Sequence, residues 1–366
     1  MIGSILVFLL VLSILVIAHE FGHFIMAKRA GVWVEEFGFG LPPRIWGKQV
    51  GETLFSINAL PFGGFVKLHG EQEEEGITDP KRAFLNKNKR TRISIIVAGV
   101  VMNFLLAIVA FAIVYSFSGI PRDTHQLKIV DVTAGSPAQV AGVIVGDIVV
   151  KVNKDSVNST DSFINEVNTL KGKNVNFEIV RNNKTLEVQM TPRVNPPAGE
   201  GALGVTITTT EIYFAPVWQR PFYGIYYGFK EAVFWGQTIA VGLWSLVVSL
   251  FKGKVPQGVS GPVGIFAVTT EAARNGILTL INFVGILSVN LAILNILPFP
   301  ALDGGRLFFI GIETVIGRKV VPRVEALTHT IGMVILLLLL AAITFHDIAG
   351  LIHAGSISGF LNQLSK

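Results

Sequence analysis

Apolar residues in this chain are gathered into long runs with polar stretches between them. Residues 2–18, 93–117, 277–298 and 331–345 are nearly free of charge. A helix needs about 20 such residues to cross a hydrocarbon core of about 30 Å, so the four runs predict four membrane helices. A fifth stretch, 222–251, is apolar and aromatic, but Lys230, Glu231, Gln237 and four glycines dilute it. Its Trp and Tyr content suits a membrane–water interface, which predicts an amphipathic or re-entrant helix there. From 121 to 196 the pattern changes to short alternating stretches between Gly, Asn and Asp turns, as in 127–130, 148–152 and 175–180. That alternation predicts a small β-rich domain. Segments 32–40, 54–57 and 63–69 also alternate like strands.

Composition agrees with this division. Hydrophobic residues make up 51% of the 366, charged residues only 15%, and mean hydropathy is +0.57, which excludes an ordinary soluble globule. The net charge of +5 comes without a nucleic-acid motif. Basic residues cluster between 28 and 92 and again at Arg306, Arg318, Lys319 and Arg323, which the positive-inside rule places on the cytoplasmic side. The first run is not followed by a small-residue cleavage site and is read as a retained helix. With no cysteine, a metal would have to sit on His, Asp, Glu or Asn.

The chemistry begins at His19-Glu20-Phe21-Gly22-His23, an HExxH sequence at the inner end of the first run. Two imidazoles four residues apart on a helix face one point, with Glu20 beside them, which is the compact form of a zinc site. His19 lies about 25 Å along a helix that starts at Ile2, near the cytoplasmic edge of the bilayer, where ionisable groups are functional by default. Catalytic zinc takes three protein ligands and keeps a fourth position open. The metzincin continuation is absent, since FIMAKRAG follows His23, so the third ligand comes from elsewhere. Asp303, in a Pro-rich segment before Gly304 and Gly305, is the natural candidate, with Asp347 and Glu313 as weaker rivals. His69, His125, His329, His346 and His353 have no ligand spacing and are read as surface or interface residues. The acidic run Glu71, Glu73, Glu74 and Glu75 is read as a solvated loop.

Residues 135–153, GSPAQVAGVIVGDIVVKVN, resemble a PDZ domain of the bacterial protease type, which implies peptide capture by strand addition. HExxH in the first run, Asn295, Pro298, Pro300, Leu302, Asp303 and Gly304 in a later one, and a PDZ domain between them together resemble the site-2 protease family. More narrowly, the chain is similar to its bacterial members that cut anti-sigma factors in regulated intramembrane proteolysis. The resemblance implies a Zn2+ metalloprotease active inside the membrane, with His19, His23 and Asp303 as zinc ligands, Glu20 as catalytic base, and Asn290 and Asn295 holding the substrate backbone. The strand-like segments around Gly63, Gly64 and Phe65 resemble the family's membrane-associated β-hairpin, whose edge would pair with an extended substrate. Two features depart from the family: Gly99-Val100 stands where Gly-Pro is common, and one PDZ domain is found where Gram-negative members carry two.

His19 and His23, at the end of the first span, and Asp303, at the end of the third, must meet on one side, which requires an even number of crossings between them, so 222–251 is expected not to cross. The expected fold is a polytopic α-helical membrane protein with four transmembrane helices, a membrane-associated β-hairpin region and one inserted extracytoplasmic PDZ domain. Its expected segments are a first helix 1–27, a cytoplasmic-side loop with the hairpin 28–92, a second helix 93–118, the PDZ domain 119–196 and a linker 197–276. A third helix with LDGG at 277–305, a loop 306–328, a fourth helix 329–350 and a tail 351–366 complete it. The expected setting is the bacterial inner (cytoplasmic) membrane, with the active site near the cytoplasmic face. Expected partners are single-pass membrane substrates such as an anti-sigma factor or remnant signal peptide, a peptide at the PDZ domain, and the lipid bilayer, with no nucleic acid. The alternative is a non-proteolytic PDZ adaptor with a structural zinc site, against which the presence of Glu20 counts.

Overall fold

The computed structural model describes residues 2–71, 77–197, 199–252, 261–318, 320–356 and 359–360. Glu73, Glu74 and Glu75 of the acidic run, and Lys319, lie outside the described residues. The chain divides into two units, Met1–Phe117 with Trp218–Lys366, and Ser118–Val217.

In the first unit five helices are long and apolar enough to cross a membrane: α1 (Ile2–Arg29), α2 (Lys89–Ser118), α5 (Arg220–Phe251), α7 (Ile277–Ile296) and α9 (Pro322–Ala354). Large apolar side chains on α5 and α9, among them Phe222, Trp244, Leu338 and Phe345, are exposed, as helices facing lipid require. Lys28 and Arg29 close the last turn of α1, where positive charge meets the helix carbonyls favourably. The start of α2 carries three basic residues against its own dipole. The Asn88 side chain accepts from Thr91 N there at 2.8 Å, and Arg92 is buried in an ion pair with Glu313.

The chain from α1 to α2 forms one antiparallel hairpin, β1 (Val34–Val50) with β2 (Thr53–Leu68). It is longer than the three short stretches of alternation predict, because the pairing continues through their irregular register. Its base lies on the end of α1, with Phe24 edge-on to Phe37 and Phe55 at 5.3 and 5.9 Å. Val34 and Leu68 are buried with Ala27, Phe84, Ile95 and Ile310, so a single apolar cluster fixes α1, the hairpin base, α2 and α8 (Asp303–Ile316) together. His69, expected at the surface, is buried at this base, where its Nδ1 meets Glu35 at 2.7 Å and its Nε2 accepts from Asp79 N.

Three boundaries differ from the sequence expectation. α7 ends at Ile296, because Pro298 and Pro300 cannot continue a helix, and Asp303 opens a new helix, α8, where a loop was expected. The segment expected as a linker contains α6 (Pro262–Arg274), which lies against α1 with Phe266 edge-on to Phe8 at 5.6 Å. It also contains β8 (Val205–Tyr213), a threonine-rich strand that belongs to the second unit.

That unit holds β3 (Ile120–Val132), α3 (Pro137–Val140), β4 (Ile148–Val152), β5 (Asp155–Ser156), α4 (Thr160–Thr169), β6 (Val175–Arg181), β7 (Lys184–Met190) and β8. The strands pair antiparallel in the order β7-β6-β4-β3-β8, with β5 on β4. Leu127, Ile129, Val152, Phe163, Phe177 and Ile179 form its core. The Gly-Asp turn read from the sequence has a physical reason: Asp147 is buried, accepts from Ile144 N at 3.0 Å and accepts from Nε and Nη2 of Arg181 at 2.7 Å each. Burial pushes its carboxyl up, and the Arg181 and Ile144 hydrogen bonds outweigh it, holding the group below the usual carboxylate range.

Candidate active site

His19, Glu20 and His23 lie on the last third of α1, where α2 crosses it without room for side chains. A Cβ on Gly22 would stand 2.7 Å from the carbonyl carbon of Ala98 and 3.0 Å from Cα of Gly99. A Cβ on Gly99 would stand 2.6 Å from Cε1 of His23 and 2.7 Å from Cε1 of His19. The two glycines therefore let the helices approach until both imidazoles, nearly perpendicular to each other, pack against the α2 backbone at Gly99.

That backbone orients them. His23 Nδ1 is 2.8 Å from the carbonyl oxygen of Ile95. A carbonyl only accepts, so the proton is on Nδ1 and the Nε2 lone pair points inward. His19 Nδ1 is 3.5 Å from the side-chain amide of Asn103, which is fully buried and whose backbone carbonyl accepts from Ser288 Oγ at 2.8 Å. The Asn103 amide oxygen is buried with no partner among the described residues. Turning the amide over offers that oxygen to a proton on His19 Nδ1, which gives both histidines the same tautomer.

Asp303 comes to the same point from α8. Its Oδ2 is 3.1 Å from His19 Nε2 and 3.2 Å from His23 Nε2, and the two nitrogens are 3.1 Å apart. Ligand atoms about 2.0–2.1 Å from zinc at tetrahedral angles lie about 3.3 Å from one another. The triangle matches that spacing, and Asp303 Oδ2 receives no hydrogen bond among the described residues. Two inward lone pairs and one unsatisfied carboxylate oxygen are a three-ligand set of the catalytic type. The residues fit zinc.

The local sequence explains how Asp303 is presented. Pro298 and Pro300 stop α7, Ala301 adopts a left-handed φ of 81°, and the chain re-enters a helix at Asp303, whose charge is favourable in a first turn. Gly304 and Gly305 leave no space for a side chain; a Cβ on Gly305 would stand 3.1 Å from the carbonyl carbon of Phe299. The rival carboxylates are engaged elsewhere. Glu313 holds Arg92, and Asp347 accepts from Gly261 N and Gly264 N at 2.9 and 3.0 Å at the start of α6.

A cavity of about 470 Å³ opens on this triangle, lined among others by Glu20, Gly64, Phe65, Phe84 and Arg306. Gly64 of β2 lies directly beside Glu20: a Cβ there would be 3.5 Å from its Cγ. Gly63 precedes it at φ 88°. Asn290 and Asn295 are half-buried on α7 and are not among the residues lining this cavity. Arg306 closes one side of the cavity in an ion pair with Glu71. Gly99 and Asn103 were legible only as interruptions of an apolar run, and Gly22 only as a variable position of HExxH; a Gly-x-x-x-Asn spacing inside a span was the available signal.

The model of Peptidase family M50 matches residues 7–339. The chain belongs to peptidase family M50. Among the relatives of this M50 peptidase, a protein of Clostridium perfringens named as a zinc metalloprotease is 35% identical, over 93% of this chain and 97% of its own. Zinc metalloprotease RasP of Geobacillus kaustophilus is 30% identical over 94% of this chain and 97% of its own. Regulator of sigma-W protease RasP of Bacillus subtilis is 28% identical over 95% and 98%. Among solved structures, the PDZ domain of an SdrC-like protein from Listeria monocytogenes is 18% identical, covering 24% of this chain and 90% of that chain with a TM-score of 0.21, a likeness too slight to carry an argument. This M50 peptidase is a zinc-dependent metalloprotease of the site-2 protease family.

Proposed function

We propose that this M50 peptidase is an intramembrane endopeptidase in which His19, His23 and Asp303 hold zinc and Glu20 moves the proton. The observation that carries the reading is the meeting of His19 Nε2, His23 Nε2 and Asp303 Oδ2 within 3.2 Å at the inner end of an apolar helix. When bound, zinc acidifies water and polarises a peptide carbonyl. Glu20 takes the proton from the attacking water and delivers it to the leaving nitrogen. The Ile95 carbonyl and Asn103 hold the imidazoles in the ligating tautomer throughout.

A membrane-spanning substrate adds its own demand. Its helix satisfies every backbone group internally, and unwinding it in lipid leaves those groups unpaired at several kcal/mol each. β2 supports a solution, because its Gly63–Gly64–Phe65 stretch runs past Glu20, and a strand laid along it would present its peptide bonds at the zinc site. Asn290 and Asn295 are proposed to hold the substrate backbone from α7.

The substrates are proposed to be single-pass membrane proteins, with anti-sigma factors favoured by the name of the Bacillus subtilis relative, a regulator of sigma-W protease, and remnant signal peptides as a second source. The inserted β-domain has the strands and two helices expected of a PDZ domain and is proposed to take a peptide or substrate segment outside the bacterial cytoplasmic membrane, with cutting after a prior extracytoplasmic cleavage. α1, α2, α7 and α9 are the four proposed spans. α5 begins where Ser116 of α2 reaches the Arg220 carbonyl and runs back along α2 through Phe229 and Ala232. Such a descent favours a helix within the bilayer over a surface helix, and α5 is proposed as a re-entrant element with the chain returning through α6 to the side it left.

Two measurements test this. A tagged single-span substrate with a Gly- or Pro-weakened helix, incubated with the purified protein, is expected to be cut within its apolar segment as mapped by mass spectrometry. Chelation is expected to stop the cut and zinc to restore it; cutting confined to soluble flanks would sink the intramembrane reading. The absence of native cysteine allows clean single-cysteine labelling. Cysteines at Gln219 and Asn275 are expected to label from one side of the membrane and one at Asn88 from the other, whereas opposite sides for 219 and 275 would make α5 a crossing.

A further inference from the structure

We propose that His329, on α9, is a positioning residue that holds the loop presenting Asp303. Its Nδ1 accepts the backbone N–H of Ala301 at 3.0 Å, two residues before the carboxylate. The inference rests on the zinc reading of Asp303.

The loop has reason to need an outside hold. Pro298 and Pro300 contribute no N–H, and within it Phe299 N bonds to the Leu297 carbonyl and Leu302 N to the Phe299 carbonyl. Ala301 N is directed to α9 instead. Ala301 also stands at φ 81°, a left-handed conformation that an alanine adopts only under constraint. A second contact lies one turn further along α9, where Gly332 receives Pro300: a Cβ there would stand 2.6 Å from its carbonyl oxygen and 2.8 Å from its carbonyl carbon. α9 thus grips consecutive residues of the loop, one by a hydrogen bond and one by close backbone approach.

The choice of imidazole points the same way. His329 Nε2 is buried without a hydrogen-bond partner among the described residues, and the ring lies 5.8 Å from that of Phe309. An apolar side chain would fill this space without stranding a polar atom, so the bond at Nδ1 is what distinguishes histidine here. Ligand spacing among histidines does not reveal one that acts on a backbone amide.

The test uses the full chain in detergent with Co2+ exchanged into the site, followed by its visible spectrum and its Co2+ affinity, with substrate cleavage alongside. The variants are His329→Ala, His329→Asn, His329→Gln and the double variant Ala301→Gly with His329→Ala. Asn keeps an acceptor where Nδ1 stands, whereas Gln places its own near Nε2. His329→Ala is expected to bind Co2+ about tenfold more weakly with an altered band, the range seen for residues behind metal ligands. His329→Asn is expected to recover most of that loss and His329→Gln little of it. The double variant is expected to recover part, because glycine takes the left-handed conformation freely. Wild-type affinity and spectrum in His329→Ala would overturn the proposal, as would Gln restoring the site better than Asn. If His329→Ala does not fold, the Asn and Gln comparison decides. The reading of Asp303 is checked separately: a Co2+ spectrum unchanged by Asp303→Ala would remove that reading and this proposal with it, whereas a changed one leaves the His329 variants to decide alone.

Discussion

Glu20→Gln is expected to slow substrate cleavage by about 10²–10⁴-fold while leaving zinc content unchanged, the range assigned to a positioned proton-transfer group. The charge is lost and the shape kept, and Glu20 is not one of the three residues whose ligand atoms converge. Its side chain borders the cavity between α1 and β2, close to Gly64, where the scissile peptide is proposed to lie. Zinc measured by mass spectrometry and single-turnover cleavage rates on the same preparation separate the two effects. A variant that keeps zinc and cuts at the wild-type rate would remove Glu20 from the proton transfer. One that loses zinc would instead make it part of the metal site.

Gly99→Ala is expected to be as damaging by a different route. The added methyl would stand within 2.7 Å of the Cε1 atoms of both His19 and His23, so α1 and α2 must separate or the imidazoles must turn away from Asp303. Either change breaks the ligand triangle, and zinc affinity is expected to fall about 100-fold, at the upper end of what disturbance behind metal ligands costs. Gly311→Ala in α8 is the matched control, because nothing lies within 4 Å of its added Cβ and alanine is the better helix former. Zinc titration of both variants checks the pair; unaltered affinity in Gly99→Ala would show that the helix crossing does not hold the site.

Much of this was legible in the chain because the chemistry is local. HExxH places two imidazoles and a carboxylate by helical periodicity alone, and Asp303 stands out because a carboxylate between prolines and glycines at the end of an apolar run needs a partner. The apolar runs marked the helices for the same reason, since lipid imposes length and composition. What stayed hidden depends on partners distant in sequence. Gly99 reads as a weak helix former until α1 is laid against it, and Asn103 as a flaw in a span until it meets His19. His69 is polar and followed by acidic residues, which suggested surface, yet Glu35 and the Asp79 amide satisfy both ring nitrogens in the interior. β8 lies beyond a Pro-rich turn and pairs with β3, with partners 73 to 93 residues apart, so alternation in its own neighbourhood could not assign it to the domain. The break between α7 and α8 was present in Pro298 and Pro300, but a proline marks where a helix stops and says nothing of how soon the next begins.

Zinc stoichiometry of the purified wild type, His23→Ala, Asp303→Ala and Asp347→Asn tests the central claim most directly. The wild type and Asp347→Asn are expected to carry zinc equimolar with the chain, while His23→Ala and Asp303→Ala lose it together with cleavage. Equimolar zinc in Asp303→Ala would contradict the site assembled from α1 and α8.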